Sequence, residues 1–70
     1  MVELKRFYCQ NRYGEVYVSD DGWVMRRDRY IWVLFNAENK AVDEDWYRND
    51  LADRNNIWLL PEREPVEQVA

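Results

Sequence analysis

The chain has 70 residues, 14 acidic and 10 basic, and its acidic excess lies in residues 36–70, which disfavours nucleic-acid binding through that half. One cysteine and no histidine exclude an intrachain disulfide and leave no ligand set for a structural zinc site. A domain this small buries only about 60% of the surface of its unfolded chain, so its four tryptophans, five tyrosines and two phenylalanines must supply much of the core.

Four strands are predicted in the first half of the chain, at residues 2–9, 15–19, 23–27 and 30–35. Asn11 and Gly14 favour a turn between the first two strands, and Asp21 and Gly22 predict a two-residue primed turn between the next two. The fourth strand, YIWVLF, is apolar without alternation, which is typical of a central, buried strand. Because the connections are short, we expect an antiparallel meander.

A single helix is predicted from the stretch DEDWYRNDLAD. Asp43 is a favourable N-cap, and Glu44 and Asp45 place negative charge in the first turn, where the helix dipole stabilises it. Val42 and Tyr47 have the spacing of a hydrophobic staple. These local signals together predict a helix that begins directly after Asp43.

The helix is expected to end at Asn55 and Asn56, because asparagine tolerates the left-handed conformation that stops a helix. The apolar residues 57–60 then predict a last strand, which Pro61 ends. One short helix covers one face of a sheet, so we expect the other face, with some of Tyr8, Tyr13, Tyr17 and Trp23, to be closed by curvature, by a target or by a second copy in a homodimer.

The fold class that follows is α+β: a small antiparallel sheet of four to five strands, in a meander, with one α-helix before the last strand packed on one face. Residues 1–60 are predicted to form this single domain. Residues 61–70 contain two prolines and three glutamates, and we expect a flexible acidic C-terminal tail. No apolar run approaches a membrane span of about 20 residues, and the first residues do not resemble a secretory signal, so a cytoplasmic location is expected, with Cys9 packed as a small hydrophobe.

Trp46 is the residue in the predicted helix that packing explains least. Tyr47 and Leu51 fall on the side that faces the core, whereas Trp46 shares its side with Asp50 and Asp53. Burying Trp46 would carry ionised carboxylates inward, which is costly unless they are paired. We therefore expect Trp46 at the surface, where it either covers a sheet edge or serves as a binding anchor.

Catalytic chemistry has little support in the sequence. A Ser-His-Asp triad is excluded without histidine, and two glycines are too few for a phosphate-binding loop. The acidic stretches lack the spacing of a calcium-binding loop. The sequence therefore predicts a protein that is not an enzyme and that uses neither a metal nor a cofactor.

The function we predict is that of an interaction or inhibitor protein that presents an acidic, Trp-anchored surface to a basic site on a larger protein, with a nucleic-acid-binding site as the candidate. By analogy of size and composition, phages and mobile elements use such proteins against host defence complexes such as CRISPR effectors. The predicted contact residues are Glu38, Asp43, Glu44, Asp45, Trp46, Asn49, Asp50 and Asp53.

Two alternatives remain open. The first is a module that binds single-stranded nucleic acid, because basic residues alternate with stacking aromatics at Arg26, Arg27, Arg29, Tyr30 and Trp32. The second is a small structural or assembly subunit, which predicts apolar rather than salt-sensitive contacts.

Overall fold

The computed structural model describes residues 3–61, and this part of the chain forms six strands and one helix. In chain order they are β1 (Lys5–Cys9), β2 (Val16–Ser19), β3 (Val24–Asp28), β4 (Ile31–Phe35), β5 (Ala41–Asp45), α1 (Arg48–Arg54) and β6 (Ile57–Leu60). The strands form one sheet in the order β5-β4-β3-β2-β1-β6. The α+β class is confirmed, but the sheet is larger than the four to five strands predicted, and it is mixed, because β6 runs parallel to β1.

The predicted hairpins of the first four strands are present, with one change of turn type. Gly14 closes the first turn by donating its N–H to the Asn11 carbonyl at 3.2 Å. In the second turn Gly22 donates to the Ser19 carbonyl at 3.2 Å, and of the residues in this loop Gly22 alone has a positive φ, of 95°. A primed turn requires a positive φ earlier in the loop, so the prediction of a two-residue primed turn was wrong. The Ser19 N–H donates to the Trp23 carbonyl at 2.9 Å, so the loop consists of residues 20–22 and ends in a left-handed glycine.

The predicted start of the helix was wrong. Asp43 and Asp45 lie in β5, where they pair with Leu34 and Trp32 of β4. Without β5, the apolar strand β4 would be an edge with unpaired backbone groups, and pairing satisfies them. This non-local gain outweighs a local capping signal, so α1 begins only at Arg48 and has seven residues.

Tyr47 is the N-cap of α1, and its side chain is 69% exposed, so both the predicted staple and the predicted core contact were wrong. The end of the helix was predicted more closely: Arg54 is the last helical residue, and Asn56 has a left-handed φ of 58°. The chain then enters β6 on the far side of β1, where Phe7 pairs with Leu59.

The two faces of the sheet differ in what covers them. We call the face that packs against α1 the inner face; the core between them consists of Phe7, Cys9, Tyr17, Met25, Trp32, Leu34, Leu51, Ala52 and Ile57, with Trp23 and Leu59 packed against it. The helix contacts β4, β5 and β6, because the sheet curls around it. Both edge strands, β5 and β6, therefore contact α1. Tyr17 and Trp23 therefore belong to the core side and not to the open face.

Some of the predictions fall beyond the described part of the chain. The expected flexible tail lies outside the described residues except for Pro61, and so does Val2, the first residue of the predicted first strand. Between residues 3 and 61, no helix is long and apolar enough to cross a membrane.

Candidate interaction site

The structure separates the eight predicted contact residues into three groups. Asp43 and Asp45 form ion pairs with Arg54, at 3.0 Å from its Nε and 2.9 Å from its Nη1, respectively. Asn55 also donates to Asp43 at 2.8 Å. These two carboxylates bind the end of α1 to the edge strand β5, which is a structural role.

The pKa values of both carboxyl groups reflect these bonds. Hydrogen bonds from Arg54 and then Asn55 lower the pKa of Asp43 to about 2. The pKa of Asp45 is lowered first by the Tyr47 backbone N–H, which donates to its Oδ1 at 2.9 Å, and then by Arg54. Both groups are therefore ionised at neutral pH, and their charge is directed at neighbours within the chain.

Glu38 and Glu44 form the second group, and neither adjoins α1's exposed side. Glu38 lies in the turn between β4 and β5, where its N–H donates to Asn36 Oδ1 at 2.9 Å. Glu44 lies in the edge strand β5 and pairs with Val33 of β4, so its side chain projects from the outer face, away from the core. The single acidic surface predicted from the sequence is therefore divided.

The third group keeps the predicted arrangement. Asn49, Asp50 and Asp53 are exposed on the side of α1 that faces away from the sheet, where spacings of three and four residues place them together. Trp46 stands just before the helix and is 64% exposed, which confirms its predicted surface position. The reason differs from the one expected, because Trp46 belongs to the β5–α1 junction and not to a helical turn.

Trp46 has aromatic and basic neighbours that the sequence did not indicate. Since Trp32 pairs with Asp45, the next residue, Trp46, lies beside Ile31. Trp46 and Ile31 line a shallow, open pocket of about 390 Å³ with Asp28, Arg29 and Tyr30. The Tyr30 side chain is 79% exposed. The pocket thus brings Trp46, from the predicted acidic surface, together with Arg29 and Tyr30, from the predicted nucleic-acid-binding strand.

The predicted nucleic-acid strand does not present its aromatic and basic residues together. Trp32 is only 8% exposed and packs in the core. Arg27 forms an ion pair with Glu15, and the Arg26 guanidinium lies over the Phe35 ring, 4.6 Å from its centre. Of the predicted set, only Arg29 and Tyr30 remain exposed without such a partner among the described contacts. The continuous stacking platform that motivated this alternative is absent from residues 26–32.

Arg48 organises the start of α1, and no sequence pattern indicated this role. Its Nη1 donates to the Tyr17 hydroxyl at 3.0 Å, and its guanidinium lies over the rings of Tyr17 and Trp32 at 5.6 and 5.9 Å. Burial raises the pKa of Tyr17, against the opposing effect of Arg48. Arg48 thereby fixes the first turn of α1 to the inner face, directly after the exposed pair Trp46 and Tyr47.

A second, larger depression of about 580 Å³ lies at the opposite end of the molecule. Lys5 on its wall forms an ion pair with Asp21 at 3.6 Å and lies over the Trp23 ring at 3.7 Å. The surrounding charges are of both signs and in part pair with one another, so this region has no clear preference for one kind of ligand. Among the described residues, no group of three or more Cys, Asp or Glu side chains is arranged to hold a metal ion.

No protein-family model matches the chain, and no curated protein or solved structure is significantly similar to it. The site is therefore defined by its own geometry: an exposed aromatic pair, Trp46 and Tyr47, between the Tyr30 pocket and the acidic side of α1.

Proposed function

We propose that this protein is a non-catalytic interaction module that binds a basic surface on a larger protein through Trp46, Tyr47 and the acidic side of α1. The observation that carries the proposal is the exposure of two adjacent large aromatic side chains, 64% for Trp46 and 69% for Tyr47. Tryptophan and tyrosine are enriched among the residues that dominate binding energy at interfaces. We define the recognition surface as Tyr30, Trp46, Tyr47, Asn49, Asp50 and Asp53.

The backbone beneath this surface is held in place, which favours binding. Asp45 accepts the Tyr47 N–H, and Arg54 joins Asp45 to the far end of the helix. Arg48 fixes the start of α1 to the core. A surface that is ordered before contact loses less conformational entropy on association, so more of the contact energy appears as affinity.

The charge of the recognition surface favours a basic partner. Asp50 and Asp53 form no ion pair with any other described residue, so their charge faces solvent. Complementary charge speeds encounter and excludes acidic partners. Basic surfaces that bind nucleic acid are the partner class that fits, and occupying one would make the protein an inhibitor of the kind that phages or mobile elements direct at host defence complexes such as CRISPR effectors.

Affinity capture from a lysate of the host cell, at low and high salt, is the first test. We expect Trp46→Ala and the double charge reversal of Asp50 and Asp53 to lose the partner that the unmodified protein retains. Retention should weaken at high salt, because exposed charge interactions are screened. Addition of nucleic acid should release the partner if the occupied site is one that binds nucleic acid.

Tyr13→Ala is the matched control, because Tyr13 is as exposed as Tyr47, at 71%, but lies in the turn between β1 and β2. It should capture the partner as the unmodified protein does. If Trp46→Ala folds normally and still captures the same partner with the same salt dependence, the proposal is wrong. Release by Tyr13→Ala as well would point to a contact elsewhere on the molecule.

A further inference from the structure

The outer face of the sheet, opposite the core, carries a continuous apolar row. Residues paired directly across neighbouring strands project from the same face. The strand register places one such row across five strands, at Leu60, Tyr8, Val18, Val24 and Phe35. Ala41 of β5 pairs with Phe35 beyond a bulge in the β4–β5 register and extends the row to the sheet edge. The helix packs on the inner face, so no helix between residues 3 and 61 covers this row.

A second row on the outer face combines an apolar centre with opposite charges on its two sides. Val33 in β4 pairs with Arg26 in β3 and with Glu44 in β5. Val33 is 8% exposed, whereas Arg26 and Glu44 are exposed. Two interstrand spacings separate these charged residues, about 10 Å between their Cα atoms. Glu44 forms no ion pair with another described residue.

We propose that the outer face is the interface of a homodimer whose two-fold axis runs along β4. The axis lies in the plane between the two facing sheets, parallel to β4. Rotation by 180° about it places β3 of one copy opposite β5 of the other. Arg26 of each copy then faces Glu44 of the other, and Val33 faces its own counterpart. The symmetry produces this ion pair twice, because a two-fold interface is self-complementary.

Three residues of the apolar row fit the same axis, whereas Val18, Tyr8 and Leu60 lie on strands outside the overlap. Phe35 in β4 faces its counterpart, and Val24 in β3 faces Ala41 of the second copy. Face-to-face sheets with aligned strands, about 10 Å apart, are a common packing arrangement. The Arg26 guanidinium already lies over the Phe35 ring, and this cation–π contact strengthens when it is removed from water.

The alternative two-fold axis, perpendicular to the strands, is disfavoured by charge. It would place Arg26 opposite Arg26 and Glu44 opposite Glu44, and like charges that face each other are destabilising. With the axis on β4, only β3, β4 and β5 of the two copies overlap, and the curl of the sheet around α1 limits the contact further. The interface is therefore small, and we expect a dimer that dissociates on dilution.

This inference goes beyond the proposed function and is tested separately. Asn49, Asp50 and Asp53 lie on the other side of the sheet, and Trp46 stands at its margin. The charge reversal of Asp50 and Asp53 therefore tests partner capture without changing the outer face, so either proposal can fail without the other.

The test is sedimentation velocity of the full chain across a wide range of concentration, from low micromolar upward. We expect a concentration-dependent dimer, with Arg26→Glu and Glu44→Arg each weakening it by about tenfold or more, since two pairs per dimer become repulsive. The double variant Arg26→Glu/Glu44→Arg should restore it. An equimolar mixture of the two single variants should form heterodimers, because both pairs are then complementary.

Arg12→Glu and Glu38→Arg are the matched controls, since they change the net charge equally at exposed turn positions. They should leave the dimer unchanged. If the protein is a monomer at every concentration, the proposal is wrong. This holds also if another segment or another protein covers the outer face. Failure of both the double variant and the mixture to dimerise, with circular dichroism showing folded chains, overturns it equally.

Discussion

Arg54, the last residue of α1, binds the carboxylate of Asp43 in β5 through two hydrogen bonds, from Nε to Oδ2 at 3.0 Å and from Nη2 to Oδ1 at 3.1 Å. A further bond runs from Nη2 to the Glu44 carbonyl at 3.0 Å. The planar guanidinium suits this two-point geometry better than an ammonium group would. The pair joins the edge strand to the helix that follows it, and so closes the junction that carries Trp46.

This pairing predicts a specific loss of stability in acid. The pKa of Asp43 is about 2 in the folded chain, below the ordinary value of 3.8, so the folded state holds the ionised form more strongly than the unfolded state does. The stabilisation is therefore fully present above about pH 4 and is lost as the pH falls from about 4 to 2. Urea unfolding across this range should show the loss, and Asp43→Asn should remove that part of the pH dependence.

Asp43→Asn should lower the free energy of unfolding at neutral pH by only about 0.5 kcal/mol, because the Arg54 side chain of the pair is 48% exposed and water screens the interaction. Asp53→Asn is the matched control, since Asp53 is exposed and forms no ion pair with another described residue. An identical acid profile for Asp43→Asn and the unmodified protein would contradict the role assigned to this carboxylate.

The position of Trp46 predicts a sharp contrast with Trp32. Trp46→Ala removes a side chain that is mostly in water, so the free energy of unfolding should fall by less than about 1 kcal/mol. Trp32→Ala removes a core side chain and should cost about 3–5 kcal/mol, enough to unfold much of so small a domain. Guanidinium unfolding followed by circular dichroism measures both. A large loss for Trp46→Ala would mean that its indole covers the sheet edge and is not free for a partner.

How far the sequence predicts this fold can be judged from particular elements. The first four strands follow from local patterns of apolar and turn residues, because each hairpin closes over a short distance. The strand β5 does not, since Asp43 and Glu44 form a favourable local helix start and only the unpaired edge of β4 decides against it. The parallel pairing of β6 with β1 is likewise fixed by contacts between distant parts of the chain. The pocket beside Trp46 depends on the same β4–β5 pairing. With residues 43–53 predicted as helix, nothing in the sequence placed Trp46 next to Tyr30.

Arg48 and Tyr17 predict an energetic coupling across the inner face. Arg48→Ala removes a hydrogen bond and two ring contacts and should destabilise the fold by about 1–2 kcal/mol. Tyr17→Phe keeps the ring and removes only the hydroxyl, so a double-mutant cycle separates the hydrogen bond from the stacking. Additive effects in that cycle would show that the hydroxyl and the guanidinium do not stabilise each other.

The raised pKa of Tyr17 gives the same pair a signature in alkali. Burial favours the neutral phenol, so in the folded chain Tyr17 should ionise above the ordinary value of 10.0. The stability that the buried, neutral Tyr17 phenol contributes is fully present below about pH 10. It is lost as the pH rises through the raised pKa of Tyr17 in the folded chain. Ultraviolet titration should show a tyrosine that ionises late, and Tyr17→Phe should remove that component. Uniform ionisation of all five tyrosines in the folded protein would contradict the buried position of this hydroxyl.

The backbone of Arg29 is strained, and this residue adjoins the recognition surface at the pocket beside Trp46. It lies in the two-residue turn between β3 and β4 with a φ of 63°, in the left-handed region that favours glycine. A non-glycine residue in this conformation lowers the stability of the fold by about 1–2 kcal/mol. Glycine avoids this strain, but part of the gain is lost because glycine has more conformational freedom in the unfolded chain. Arg29→Gly should therefore raise the free energy of unfolding by about 0.5–1 kcal/mol, measured by urea titration, with Arg12→Gly as a control for loss of charge. A destabilised Arg29→Gly would mean that the arginine side chain makes contacts that outweigh the strain. A stabilised variant with weakened partner capture would instead identify Arg29 as a residue whose side chain serves binding at the cost of stability.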